Sequence, residues 1–233
     1  MTRRRYNPAG VLAAAVLVCG GAVGAGGCGA VAKLVGGMAQ NYEYQKRIEV
    51  LPQYSGLEGQ TVAVIVEADL STLYEHPNTV AKIAGGVVGR IRRDVPSAQV
   101  VDPGMVINWQ YRTPQWNALP YGQIAEQLGV NRLVHIDLYE YRLHPPGNRW
   151  EWQGACSATI GVVERDGFDP DTFVEVFAVE TRFPDIKGVG LESANRAQIE
   201  TGLLAEFIKK TAWLFHTHLE PKYPDKYRAI REY

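Results

Sequence analysis

From Tyr6 to Ala32 the chain carries no charged side chain, and directly ahead of that run stand Arg3, Arg4 and Arg5. Inside the run, Val11–Val18 is a short apolar core, and Gly20–Gly29 is mostly Gly and Ala. A basic start, a short apolar stretch and a small-residue exit form the pattern of a secretory signal. Arginines hold to the cytoplasmic side, so the remainder is directed outward. The first residues thus set where the chain folds, and the folded body has to be sought downstream of them.

Three endings of the signal stay open. Ala25-Gly26-Gly27-Cys28 sets small residues before a cysteine, as a lipoprotein signal requires, although Ala25 stands where that motif usually has Leu. Cys19 is the poorer acceptor, because bulky Val18 precedes it. Cleavage after Val23-Gly24-Ala25 instead gives a secreted chain. An uncleaved run is long enough to span about 30 Å of hydrocarbon as an N-terminal transmembrane anchor, but its glycines weaken a helix. Thr2–Tyr6 also has some twin-arginine character. The reading adopted is a lipoprotein signal over residues 1–28, with acyl (palmitate-type) attachment at Cys28. The chain is then expected in the cell envelope, lipid-anchored to a membrane and facing the periplasm.

Without the three leading arginines, 21 basic groups remain against 25 acidic ones, a net of −4. That balance excludes a nucleic-acid binder relying on phosphate neutralisation. About 205 mature residues suit one core and one domain. Of the three cysteines only Cys156 lies outside the signal region, so no intrachain disulfide framework exists.

Residues 29–59 read as a tether, 60–220 as a mixed α/β domain, and 221–233 as a basic-aromatic tail. Thr61–Val66 (TVAVIV) is a buried strand by its β-branched run. Pro77 opens a helix to about Arg93, with Val80, Ile83, Ala84, Val87, Val88 and Ile91 on one face. Ala98–Val101 is a short strand. Pro103 starts a short helix that gives way to an aromatic loop holding Trp109, Tyr111 and Trp116. Tyr121–Leu128 is helical and stops at Gly129. Arg132–Leu143 is a strand with Val134, Ile136 and Leu138 on one face and His135, Asp137, Tyr139 and Tyr141 on the other. Trp150–Val163 alternates likewise, with Trp150, Trp152, Cys156, Ala158 and Ile160 sharing a face, and the Pro145–Asn148 turn makes the two a hairpin. Thr172–Phe183 is a third long strand, and Ser193 caps a last helix reaching about His218. The order β-α-β-α-α-β-β-β-α predicts an α+β fold, a small mixed sheet packed by helices.

The segment Ile124-Ala125-Glu126-Gln127-Leu128-Gly129 followed by Val130-Asn131-Arg132-Leu133-Val134 carries a resemblance. It resembles the helix I-A-x-x-L-G and strand V-D-Y-L-V-x-G of an envelope family comprising the TolB amino-terminal domain, the curli-secretion lipoprotein CsgG and the penicillin-binding-protein activator LpoB. Asp137 stands where the family strand reaches its Gly. The resemblance covers roughly residues 61–219, and it implies a small mixed sheet used for protein–protein assembly, with no catalytic residues to carry over.

Catalytic constellations do not emerge from the residues themselves. His216 and His218 are two apart on a helix end and read as capping charges rather than a zinc pair. His135 and Asp137 share a strand face, yet no G-x-S-x-G elbow accompanies them, so surface polar pairing is the reading. Cys156 reads as a packed thiol, and Gly188-x-Gly190-x-x-Ser193 as a plain strand-to-helix loop. Glu67, Asp69, His135 and Asp137 are the candidate ligand pocket, and Trp109, Tyr111, Trp116 and Tyr121 the candidate interface. The expectation is a non-enzymatic accessory or assembly lipoprotein with no cofactor, no metal and no nucleic acid. It is held to the membrane by its lipid and contacts an envelope protein or further copies of itself. An envelope small-ligand-binding protein or an enzyme of unknown reaction is the alternative.

Overall fold

The computed structural model describes residues 46–223. Cys28, the remainder of the signal, the tether up to Gln45 and the tail beyond Tyr223 lie outside them. In chain order the elements are β1 (Arg47–Val50), β2 (Thr61–Ala68), α1 (Leu70–Glu75), α2 (Thr79–Asp94), β3 (Gln99–Val100) and α3 (Pro103–Arg112). A 3-10 turn at Trp116–Ala118 follows, then α4 (Tyr121–Leu128), β4 (Arg132–Arg142), β5 (Gly154–Glu164), β6 (Glu175–Phe183), α5 (Arg196–Trp213) and β7 (His218–Pro221). The fold is α+β: a mixed five-stranded sheet in the order β3-β2-β4-β5-β6, and a two-stranded sheet of β1 with β7. β3, β2 and β4 run parallel, while β5 and β6 continue antiparallel as a meander.

Helices cover both faces of the sheet, and this explains why β2 is apolar at successive positions rather than alternate ones. Val62, Val64 and Val66 of β2 join Val134, Ile136 and Leu138 of β4 and Ala158, Ile160 and Val162 of β5 under α2 and α5. There they meet Ile83, Val87 and Ile91, and Ile199, Leu203 and Phe207, each worth about 1.5–3 kcal/mol on burial. Ala63, Ile65, Leu133 and Val163 point the other way, against Val106 of α3 and Ile124 and Ala125 of α4. The I-A-x-x-L-G segment has a direct physical reading. Ile124 and Ala125 are buried, and Gly129 takes φ 68°. Gly129 N donates to Glu126 O at 3.0 Å and Val130 N to Ala125 O at 2.9 Å, a Schellman closure that needs a left-handed residue.

Several local expectations are corrected. Asp69 caps a separate short helix, α1, so the next helix begins at Thr79 rather than at Pro77. Trp109 and Tyr111 lie on α3 rather than in a loop, because the helix runs on to Arg112. A bulge between Leu138 and Glu140 shifts the alternation of β4, which turns Tyr141 into the α2/α5 core while Tyr139 stays exposed. Trp150 precedes β5 and stands 80% exposed, off the face assigned to it. Asn195, not Ser193, caps α5, through a reciprocal capping box with Gln198. That helix ends at Trp213, and His218 opens β7 instead.

The segment just before β2 belongs to the core. Leu57 is fully buried; Tyr54 is nearly so, its N–H donating to Leu214 O at 3.0 Å and its hydroxyl to Glu164 Oε1 at 2.6 Å. Residues 54–57, assigned to the tether by sequence, therefore pack with the domain. Tyr54→Phe should lower unfolding free energy by about 1.5–3 kcal/mol, the range for a hydrogen bond to a charged group. Urea denaturation with an unchanged m-value is the check, and a midpoint within error of wild type would refute it.

Candidate functional site

At the carboxyl end of β2 the chain leaves the sheet and turns into α1, and a cleft of about 530 Å³ opens there. Its floor is Glu67 and Ala68; α1 and α2 supply Leu73 and Val80, and α3 with the following turn supplies Tyr111 and Trp116. Crevices outside the carboxyl ends of parallel strands are the usual place for ligands in such sheets.

Glu67 is held from two sides. Asn117 Nδ2 donates to its Oε1 at 3.1 Å, and His135 Nε2 lies 3.2 Å from its Oε2. His135 was expected beside Asp137 as a surface pair, but it is buried and its carboxylate partner is Glu67 on the neighbouring strand. Register explains this: Glu67 pairs with Asp137 and Ile65 with His135, so the imidazole reaches diagonally across the β2–β4 ladder. Rings of Trp116, Tyr121 and Phe173 surround it at 6.4, 5.5 and 5.9 Å. Phe173 also lies over Gly161, where any Cβ would collide with its ring. Burial pushes His135 below its ordinary 6.5 and outweighs the pull of Glu67 and Asp137. A neutral imidazole whose Nε2–H donates to Glu67 fits this arrangement.

The other pocket candidates divide. Asp69 lines the cleft, but its carboxylate is occupied as the cap of α1, accepting from Thr72 N and Ser71 Oγ at 2.8 Å each. Those hydrogen bonds hold it below the ordinary carboxyl value. Asp137 is exposed and outside the cleft lining. Its charge reaches Tyr121, whose phenol is raised by burial first and then by Glu67 and Asp137. Gln110 and Asn117, which sequence reading passed over, complete the site: Gln110 Nε2 donates to Val66 O at 3.2 Å. A clue was present in Asp69-Leu-Ser-Thr72, an Asx-type start for the helix that walls the cleft. Gln115, also on the rim, holds φ 61° without being glycine, a conformation that costs about 1–2 kcal/mol and concentrates at functional loops.

Of the four candidate interface rings, Tyr111 alone is strongly exposed, at 83%. Trp109, Trp116 and Tyr121 pack against the cluster under α3 and α4, and Trp109 Nε1 donates to Gln127 Oε1 at 3.1 Å. Cys156 is fully buried and its thiol is pushed far up by burial, so it does not ionise. The Gly188 loop is already filled, since Gly188 N donates to Glu151 Oε1 at 2.7 Å. His216 serves the end of α5 with Nδ1 at 3.0 Å from Ala212 O.

No family model and no curated protein matches the chain. Among solved structures, the PelC dodecamer of Paraburkholderia phytofirmans is similar at 10% identity and TM-score 0.40, over 73% of this chain and 97% of that one. The lipoprotein GNA1162 of Neisseria meningitidis is similar at 13% identity and TM-score 0.42, over 65% and 97%. The hypothetical protein CT253 of Chlamydia trachomatis is similar at 14% and 0.39, over 66% and 96%.

Neutral His135 gives a pH prediction. Above its unfolded value of 6.5 the imidazole is uncharged in both states and its packing contributes fully. As pH falls below 6.5 the unfolded chain takes up the proton first, and stability drops. His135→Phe, which suits the ring-lined site, should flatten the loss between about pH 7 and about pH 5. His76 and His216, both also held below 6.5 chiefly by burial, keep the remaining slope. Urea midpoints across that window test it; a variant with the wild-type slope would show that His135 does not titrate in this way.

Proposed function

We propose that the chain is an exported, non-enzymatic lipoprotein, anchored through Cys28, that acts as an accessory or assembly component of the cell envelope by contacting another envelope protein. The observation that carries this reading is the charged-then-uncharged start, Arg3–Arg5 followed by Tyr6–Ala32, with small residues leading to Cys28. The resemblance of Ile124–Val134 to the envelope family supports it. So does the surface of the cleft: Leu70 on α1 and Tyr111 on α3 both line it and are large apolar side chains left in solvent. Grouped apolar side chains of this kind mark contact surfaces. The second reading, a small-ligand-binding protein or enzyme, is favoured by the cleft itself, with Glu67 oriented by His135 and Asn117.

Two variants test the proposal. Cys28→Ser should move the protein out of the membrane fraction and remove the acyl mass from the intact chain; wild type carrying a free N-terminus after Ala25 would end the lipoprotein reading. Leu70→Asp with Tyr111→Asp should abolish a stoichiometric complex with an envelope protein, or a homo-oligomer, while leaving the circular dichroism unchanged. Wild type that stays monomeric and partner-free in detergent extracts would count against the assembly role.

A further inference from the structure

A second concavity, of about 930 Å³, lies beyond the far end of α1 and has the opposite charge from the Glu67 cleft. Its walls come from three places: Glu75 and His76 at the end of α1, Arg142 to Pro145 at the end of β4, and Arg149, Trp150 and Arg196. Three guanidinium groups face it against one carboxylate, Glu75. Arg142 is bound up structurally, with Nε on Glu140 Oε1 at 2.9 Å and Nη1 donating to His144 O at 2.7 Å and Gln153 O at 3.0 Å. The other two are not neutralised. Arg196 donates from Nη2 to His76 Nδ1 at 3.2 Å and to Glu75 O, neither of them an acid group. Arg149 makes no hydrogen bond or ion pair among the described residues and is exposed.

The turn carrying Arg149 and Trp150 is built rather than loose. Asn148 N donates to Pro145 O at 3.2 Å, Trp150 N to Asn148 Oδ1 at 3.0 Å, and Asn148 Nδ2 to Glu151 Oε2 at 3.2 Å. Behind it His144 stacks on Trp152 at 4.5 Å, with Nδ1 on Glu151 O at 2.9 Å and Nε2 left over. An indole is thus held 80% in solvent beside an unpaired guanidinium. Such a pair matches a molecule with one flat apolar face and one oxyanion. The remaining lining mixes Glu75, His76 and His144 with Leu143 and Pro145, which suits a ring with hydroxyl groups at its edge and C–H faces, and the volume is that of small-molecule sites. His76 is lowered by burial first and then by the charge of Arg196, against the opposing pull of Glu75 and Glu200.

We propose that this concavity binds an anionic sugar, its carboxylate or phosphate met by Arg149 and Arg196 and its ring stacked on Trp150. The site is independent of the cleft at Glu67 and of the lipid anchor.

Isothermal titration of the detergent-extracted full chain with glucose 6-phosphate, glucuronate and glucose tests it, with tryptophan fluorescence as a second readout. Saturable binding of at least one of the two anions, with glucose about tenfold weaker or more, is the expected result, and which anion binds separates phosphate from carboxylate recognition. Arg149→Ala should weaken the anion about tenfold or more without touching the fold, because that side chain has no partner to lose. Trp150→Ala should weaken it and abolish the fluorescence change. Absence of saturable binding by both anions, glucose binding as tightly, or Arg149→Ala binding like wild type would each overturn the proposal.

Discussion

Strand β4 is hydrogen-bonded along both edges and covered on both faces, and this leaves it a single workable register. Val134 sits opposite Val64 on one side and Val162 on the other. A slip of one residue would drive His135 into the apolar layer under α2 and α5 and lift Ile136 out of it. The bulge after Leu138 is where this strict alternation is released. The last β2 pairing is Ala68 with Leu138, so β4 runs past its parallel neighbour there and shifts Tyr141 inward. Both concavities form at this carboxyl end: one where β2 stops, at Glu67, the other where β4 finally stops, at Arg142 to Pro145.

The opposite end of the sheet shows what the same residue types do when they are purely structural. Arg132, nearly fully buried, donates from Nε to Gly56 O at 3.1 Å and from Nη1 to Asn131 O at 3.0 Å. Asp166 binds its Nη1, Glu164 lies 3.6 Å from its Nε, and Tyr54 donates to Glu164. A guanidinium taken out of water must have its donors met, and at Nε and Nη1 they are. The knot joins the segment before β2, the start of β4 and the end of β5. Arg149 has none of this, and the contrast is the physical reason to read one arginine as architecture and the other as recognition.

Sequence made the layers legible because they rest on local rules. β-branched runs marked β2 and β4, and the helix-then-glycine of Ile124–Gly129 marked α4, since only a left-handed residue closes it at φ 68°. What escaped depends on distant partners. The burial of Tyr54 and Leu57 requires Glu164, Phe215 and the α2/α5 core, none of them near in sequence. β1 and β7 are four residues each and pair across most of the chain, which no window of periodicity reveals. The bulge that reassigns Tyr141 leaves no mark in the alternation itself. Of the site, Glu67 and Asp69 were legible from their place at a strand end. His135 was assigned the wrong acid because strand neighbours two apart look closer in sequence than a diagonal across parallel strands. The basic concavity was missed because Arg149 and Arg196 lie 47 positions apart.

The two concavities share α1 as their divider, and its length sets the scale. Six residues span about 9 Å, with Asp69 capping the acidic side and Glu75 and His76 closing the basic side. Between them the helix presents Leu70, Leu73 and Tyr74 to solvent. An apolar ridge alone gives contact area without direction, since burial of apolar surface is indifferent to orientation. Flanking it with a carboxylate held by His135 and Asn117 on one side and with the unpaired guanidinium of Arg149 on the other breaks that symmetry. For a protein partner of the kind proposed above, turning end for end would set like charges together, so the ridge would supply adhesion and its charged flanks orientation.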